Sequence, residues 1–229
     1  MTTTAPPERR DLASLMARMT GDEKHDAAAL STLDVVWALY HDVLHVSPDR
    51  PDDPDRDRFH LSKGHGPMAF YATLAAHGWF PVDWLDRWTA FDSPLGAHPD
   101  RTLVPGCEIS SGSLGHGLPL AVGTALALRA RGSRAHVYVL VGDAELDEGS
   151  NDEAIAFAGA VGLQNLTVVA VDNASSTHNR PHRLRERFAL EGWSATEIDG
   201  HDHDAIVEAL THREHRPAFV TALVERKNS

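Results

Sequence analysis

Cysteine is almost missing from this 229-residue chain: Cys107 stands alone, which excludes an internal disulfide. Long apolar runs are missing as well. The longest, Leu118 to Leu128, is 11 residues and is broken by Pro119, Gly123 and Thr124, whereas a membrane-crossing helix needs about 20. The opening stretch Met-Thr-Thr-Thr-Ala-Pro-Pro-Glu-Arg-Arg holds no apolar signal core. Basic residues are the minority, 21 Lys and Arg against 33 Asp and Glu, for a formal charge of −12. A general nucleic-acid binder needs a basic face, and this balance argues against one. What is present, 42% apolar and 24% charged residues, is ordinary globular composition with chain enough for a sizeable core. The expectation is a cytoplasmic, acidic protein with no membrane and no nucleic-acid partner.

Apolar spacing begins only at Leu12, so residues 1–10 are predicted to be a loose arm and 11–229 a single domain. Leu12, Leu15, Met16 and Met19 recur at helical intervals, as do Leu33, Val36, Trp37, Tyr40 and Leu44 within a segment from about Ala27 to Leu44. Ser47 to Arg58, dense in Pro, Asp and Arg, reads as a loop, and Pro67–Ala76 and Val82–Thr89 as short helices. The second half changes rhythm. Ala135–Val141 and Leu166–Val171 are β-branched runs without polar alternation, the mark of strands covered on both faces. Glu148–Val161 between them has helical spacing, which completes a parallel crossover unit. A helix over Arg183–Leu190, a strand near Thr196–Ile198, a helix over Ala205–His212 and a strand over Ala218–Val224 follow. The fold class is α/β, a mostly parallel sheet with helices on both faces.

The two strand ends carry the chemistry. The first run stops at Gly142-Asp143-Ala144-Glu145 and the second at Asp172-Asn173. In an open α/β sheet, ligands sit outside the carboxyl ends of strands. Gly142 permits a sharp turn with backbone N–H groups facing an anion. A carboxylate and an amide oxygen are hard donors suited to Mg²⁺, whose other ligands are phosphate and water oxygens. No Cys/His spacing of the closed zinc type is found. Either dipeptide alone is also a common strand-ending turn; the pair, with an intact crossover unit between them, points to a ligand.

These residues resemble the signature of thiamine diphosphate enzymes, Gly-Asp-Gly followed by Asn-Asn, with residues 145–171 as the interval. Three further segments narrow the resemblance to transketolases. Arg56-Asp57-Arg58-Phe59-His60-Leu61-Ser62-Lys63-Gly64-His65 is similar to the segment ending Ser-Asn-Gly-His. Gly96-Ala97-His98-Pro99-Asp100 resembles Gly-His-Pro-Glu, and Gly112-Ser113-Leu114-Gly115-His116-Gly117 resembles Gly-Pro-Leu-Gly-Gln-Gly. The similarity spans roughly His25 to Val224.

The resemblance implies a thiamine diphosphate-binding fold with thiamine diphosphate and Mg²⁺ as cofactors. Asp143 and Asn173 would ligate the metal by side chains, and Ser175 by its carbonyl oxygen. His65, Gly112, Ser113, Leu114, Gly142, Asp143, Ala144, Glu145 and Asn173 would line the cofactor. His25, His65 and His98 would act on the sugar and diphosphate, and Glu148, with Glu153 nearby, would lie at a subunit boundary. Histidine suits proton exchange with sugar hydroxyls near neutral pH. The C-terminal histidines His178, His182, His201, His203, His212 and His215 read as solvated, and Cys107 as a small buried apolar residue.

The chain also departs from the pattern. Ala144 stands where the signature has glycine, Ala27-Ala28 replaces a glycine pair, and Ser175-Ser176-Thr177-His178-Asn179 replaces an Asp-Gly. No segment corresponds to the pyrimidine-binding domain, whose glutamate activates the cofactor in this family. The expected partner is therefore a separate C-terminal transketolase subunit, in an α2β2 assembly acting on small-molecule substrates. A thiamine subunit of a 2-oxoacid decarboxylase or dehydrogenase shares the magnesium motif but leaves His65, His98 and Gly112–Gly117 unexplained. A non-catalytic cofactor-binding homologue is the alternative from another class.

Overall fold

The computed structural model describes residues 8–20, 26–178 and 181–226. Among them a five-stranded sheet forms from β1 (Arg58–Leu61), β2 (Val137–Gly142), β3 (Leu166–Asp172), β4 (Ser194–Asp199) and β5 (Ala218–Leu223). Its order is β1-β2-β3-β5-β4, and every pairing is parallel. The helices are α1 (Arg9–Met16), α2 (Asp26–Ala38), α3 (Met68–Ala76), α4 (Gly117–Ala130), α5 (Gly149–Ala160), α6 (Arg183–Leu190) and α7 (His203–Thr211).

Parallel strands need long crossovers, and these put helices on both faces. Tyr138 and Leu140 of β2 and Val169 and Val171 of β3 join α1, α2, α3 and α7 in one core. Their alternates, Val137, Val139, Val141, Val168 and Ala170, join α4, α5 and α6 in the other. All six residues of β2 are buried, so two-sided coverage accounts for the unbroken apolar runs. Each such side chain contributes about 1.5–3 kcal/mol on burial.

The elements expected from the two β-branched runs, and the helix over 183–190, form where the sequence predicts them. One expectation needs correction, and two elements go beyond what the sequence predicted. Helix α1 starts at Arg9, inside the stretch expected to be a loose arm, because the Asp11 carboxylate accepts the Glu8 N–H at 3.1 Å and Arg9 pairs with Asp34. Strand β1 lies in a segment with no strand periodicity. It is drawn onto β2 by backbone pairing and by Asp57, which accepts the His136 N–H at 2.7 Å and the His45 N–H at 3.0 Å. The run Leu118–Leu128 is helix α4, with Leu118, Ala121, Val122, Ala125 and Leu128 turned to the sheet at intervals of three and four. Pro119 is tolerated because it sits in the first turn. No helix among the described residues is long and apolar enough to cross a membrane.

Two histidines are built into the sheet. His60 in β1 is 3% exposed, and burial lowers its pKa to about 4. His136, just before β2, hydrogen-bonds Thr167 at 2.8 Å, and burial lowers it to about 3. Both are neutral when folded, while the unfolded chain takes up their protons near pH 6.5. Their stabilisation is thus present above about pH 6.5 and is lost as pH falls toward 4. Each should cost about 1.4 kcal/mol per pH unit in that window. Urea unfolding at pH 7, 6 and 5 should show a fall in stability that is flattened in His60→Gln/His136→Gln; an unchanged slope in that variant would sink the assignment.

Candidate active site

The sheet register sets the site. Gly142 pairs with Val171, so Asp143 and Asn173 emerge one and two residues past the last pair of two adjacent strands. Asp143 is 3% exposed; Oδ1 accepts the Ser175 hydroxyl at 2.6 Å and Oδ2 the Ser176 N–H at 2.8 Å. The carboxylate thereby draws the loop after β3 against the turn after β2. Asn173 Oδ1 is buried and has no hydrogen-bond partner among the described residues. Leaving an amide oxygen so costs about 1–3 kcal/mol, and a divalent cation held between it and Asp143 would remove that cost. Ala144 has φ −69° and ψ −33°, an ordinary right-handed conformation, so replacement of the expected glycine carries no strain here. Beyond it Glu145–Asp147 forms a 3₁₀ turn.

A second wall comes from the segment after β1 and from two loops. Gly64 abuts Gly112 so closely that a Cβ on Gly64 would lie 2.7 Å from the Gly112 nitrogen and 2.9 Å from the His98 ring. Gly112 itself has φ +116°, and a Cβ there would meet the same ring at 3.0 Å. Only glycine at both positions lets the two backbones and the imidazole meet. The His65 and His98 rings stand edge to face, centroids 5.5 Å apart. His98 is anchored through the Gly96 carbonyl, which accepts the Tyr71 hydroxyl at 3.0 Å and the Trp88 indole N–H at 3.1 Å.

Glu145 joins the walls. It is 2% exposed; Oε1 accepts the Ser62 hydroxyl and the Gly115 N–H (3.1 Å), and Oε2 accepts the Gly142 N–H at 3.3 Å. Ser62 in turn accepts the Gly117 N–H at 3.1 Å. One carboxylate therefore ties the ends of β1 and β2 to the loop before α4. Burial raises its pKa, against the pull of the three donors and of the Lys63 charge.

Of the residues expected from sequence, His65, His98, Gly112, Gly142, Asp143, Ala144, Asn173 and Ser175 lie on the loops that converge at these strand ends. Ser175 donates its hydroxyl to Asp143. Glu145 spends its carboxylate on protein donors, which makes it a scaffold of the crevice. Ser113 hydrogen-bonds His116 at 3.0 Å, and Leu114 is 43% exposed. Glu148 stands at the N-cap position of α5 without a side-chain capping hydrogen bond and is exposed, as is Glu153. His25 lies outside the described residues. His201 is not simply solvated: it bridges Asp34 (2.8 Å) and Glu225 (3.0 Å), and the Asp34 hydrogen bond raises its pKa. Cys107 is half-buried and donates its thiol to the Ile109 carbonyl. Sequence reasoning missed Ser62 and Lys63. The Lys63 stem lies 3.7 Å from where a Gly142 Cβ would be, which brings a cation to the turn after β2. Its position between Ser62 and Gly64 in a recognisable segment was the available signal.

Comparison with known proteins gives a consistent result. The family described as transketolase, thiamine diphosphate binding domain, matches residues 14–224. A protein named ferredoxin fas2 from Rhodococcoides fascians is 53% identical over 96% of this chain and 73% of its own length. A subunit of the apulose-4-phosphate transketolase of Actinobacillus succinogenes is 38% identical over 81% of this chain and 70% of its own. The crystal structure of Pichia stipitis transketolase with sedoheptulose 7-phosphate superposes with a TM-score of 0.78 at 25% identity, covering 94% of this chain and 36% of that one.

The scaffold role of Glu145 makes a stability statement. Ser62→Ala removes one donor to Glu145 and the acceptor of the Gly117 N–H, and should cost about 1–3 kcal/mol. Glu145→Ala orphans three buried donors and should cost more. Urea denaturation of both variants checks the order; a smaller loss for Glu145→Ala would show that the carboxylate does not hold the three segments together.

Proposed function

The chain belongs to the transketolase family as its thiamine diphosphate binding domain, and on that premise we propose that it is the thiamine diphosphate- and Mg²⁺-binding subunit of a two-chain transketolase. It would move a two-carbon ketol unit from a ketose donor to an acceptor. The observation that carries the reading is the buried, unpartnered Asn173 Oδ1 beside the Asp143 carboxylate. Those two oxygens, with a carbonyl of the following loop, suit Mg²⁺ in chemistry and in number, since Mg²⁺ keeps phosphate and water as its other ligands.

When bound, the cofactor supplies the carbanion chemistry of ketol transfer, so the protein's contribution is orientation, electrostatics and proton handling. Asp143 and Asn173 would hold the metal, which offsets diphosphate charge that a chain of −12 would otherwise repel. Lys63, the Ala144 N–H and His65 would face the diphosphate, and Gly112, Ser113 and Leu114 the aminopyrimidine. His98 presents its imidazole at the meeting of two walls, where it can accept and return protons of sugar hydroxyls. His25 is assigned the same task by its place in the sequence.

A partner chain with the pyrimidine-binding domain would complete the site. Relatives whose names describe them as transketolase subunits support a divided enzyme. Leu114, Leu120 of α4 and Phe157 of α5 are also 43%, 49% and 46% exposed, apolar surface that a partner chain would cover. Exposed Glu148 and Glu153 begin the neighbouring helix, and an α2β2 assembly would bring them to a subunit boundary. A cytoplasmic setting accords with the lone thiol.

The test combines binding and turnover. Asp143→Ala and Asn173→Ala should each weaken Mg²⁺-dependent thiamine diphosphate binding at least ~100-fold. Turnover of a ketose phosphate should need the pyrimidine-domain chain. Turnover by this polypeptide alone would refute the two-chain reading, and undiminished binding by Asp143→Ala would refute the metal site.

A further inference from the structure

Asp147 lies one turn beyond Asp143 and is not among the residues assigned to the metal or the cofactor, yet its carboxylate is fully engaged. Oδ2 accepts the Ser176 hydroxyl at 2.7 Å and Oδ1 accepts Arg183 Nη2 at 2.6 Å. Arg183 Nη1 also donates to Ser176 Oγ at 3.2 Å, and so does the His178 N–H at 3.1 Å. The Ser176 hydroxyl is thus fixed from three sides. The Asp147 and Arg183 side chains are each 19% exposed, and Ser176 is 8% exposed. That removes the pair from the class of solvated surface ion pairs, which contribute little. Arg187, one turn further along α6, donates to the Leu146 carbonyl at 2.6 Å, so the helix is tied to this turn twice.

The same short loop is gripped by Asp143, through Ser175 and the Ser176 N–H. Two carboxylates from one turn after β2 therefore hold the turn after β3. The loop needs holding, because Ala174 sits at φ +59°, a left-handed conformation that non-glycine residues avoid. It is also the stretch in which this chain replaces the Asp-Gly of the transketolase pattern.

We propose that Asp147, Arg183 and Ser176 form a strap that positions the loop after Asn173 and thereby sets the affinity of the Asp143–Asn173 site for its divalent cation and the diphosphate bound with it. The inference rests on the metal-diphosphate reading of that site. The three are positioning residues: Asp147 and Arg183 hold the loop through its own Ser176, and Asn173 and Ser175 adjoin it in the chain. Outer partners of metal ligands change metal affinity by about 10–100-fold when removed, so the strap should act on the Mg²⁺ requirement.

The experiment titrates Mg²⁺ into the full chain with thiamine diphosphate present, followed by calorimetry, alongside amide hydrogen exchange without either. Arg183→Gln should raise the Mg²⁺ midpoint about 10–100-fold and speed exchange over residues 174–178, with β2 and β3 amides still protected. Arg183→Lys should recover part of the midpoint, and Asp147→Asn/Arg183→Gln should be no worse than the weaker single variant. Ser176→Ala, which leaves the ion pair intact, should shift the midpoint in the same direction and carries the test if Arg183→Gln does not fold. Midpoints within twofold of the original chain for both Arg183→Gln and Ser176→Ala, with binding abolished by Asp143→Ala, would overturn the strap and leave the site standing. Equal binding by the original chain and Asp143→Ala would overturn the site and the strap together.

Discussion

One buried carboxylate organises this molecule's crevice. Glu145 accepts hydrogen bonds from the ends of β1 and β2 and from the loop before α4. Taking a carboxylate out of water is costly unless donors surround it, and here the donors are those whose positions define the cleft. Desolvation still prevails in the balance, since the pKa is raised. That burden is tolerable because backbone N–H groups of tight turns need an acceptor in any case. The arrangement converts loops, which are ordinarily the mobile parts of an α/β protein, into walls of fixed spacing. Chemistry on a bound ligand requires such spacing, because misplacement of a reacting group by about 1 Å can cost 100-fold in rate.

Much of this was legible in the residues. The buried strands β2 and β3 announced themselves as unbroken apolar runs, because a parallel sheet covered on both faces has no polar side to encode. Asp143 and Asn173 were legible from their place at strand ends. Strand β1 was not: Arg58-Phe59-His60-Leu61 lacks strand periodicity and exists because Asp57 and the edge of β2 satisfy it. Such tertiary capture leaves no local trace. Helix α4 was obscured for another reason. Its apolar run invites comparison with a membrane span, while its spacing at Leu118, Ala121, Val122, Ala125 and Leu128 already describes an inward stripe. Ser62, Lys63 and the partners of Asp147 escaped because each acts through contacts 29 to 83 positions away in the chain.

The departures from the transketolase pattern are absorbed locally. Ala144 adopts a right-handed conformation, so the turn that presents its N–H needs no glycine. After Asn173 the chain accepts a left-handed alanine and compensates with serines that reach two carboxylates. Hydrogen bonds to a charged acceptor are stronger than those between neutral groups, which lets two short side chains fix a loop whose backbone is unfavourable.

The distribution of polarity accords with the proposed second chain. Asp143 and Glu145 are buried and hydrogen-bonded at the strand ends, whereas Leu114, Leu120 and Phe157 stand in water. On a chain whose formal charge is −12, exposed apolar side chains lower solubility without contributing to the core. A partner that covered them together with the strand ends would remove apolar area from water and strengthen every charge interaction in the crevice. Completion of the site and association of the chains would therefore be driven by the same contacts.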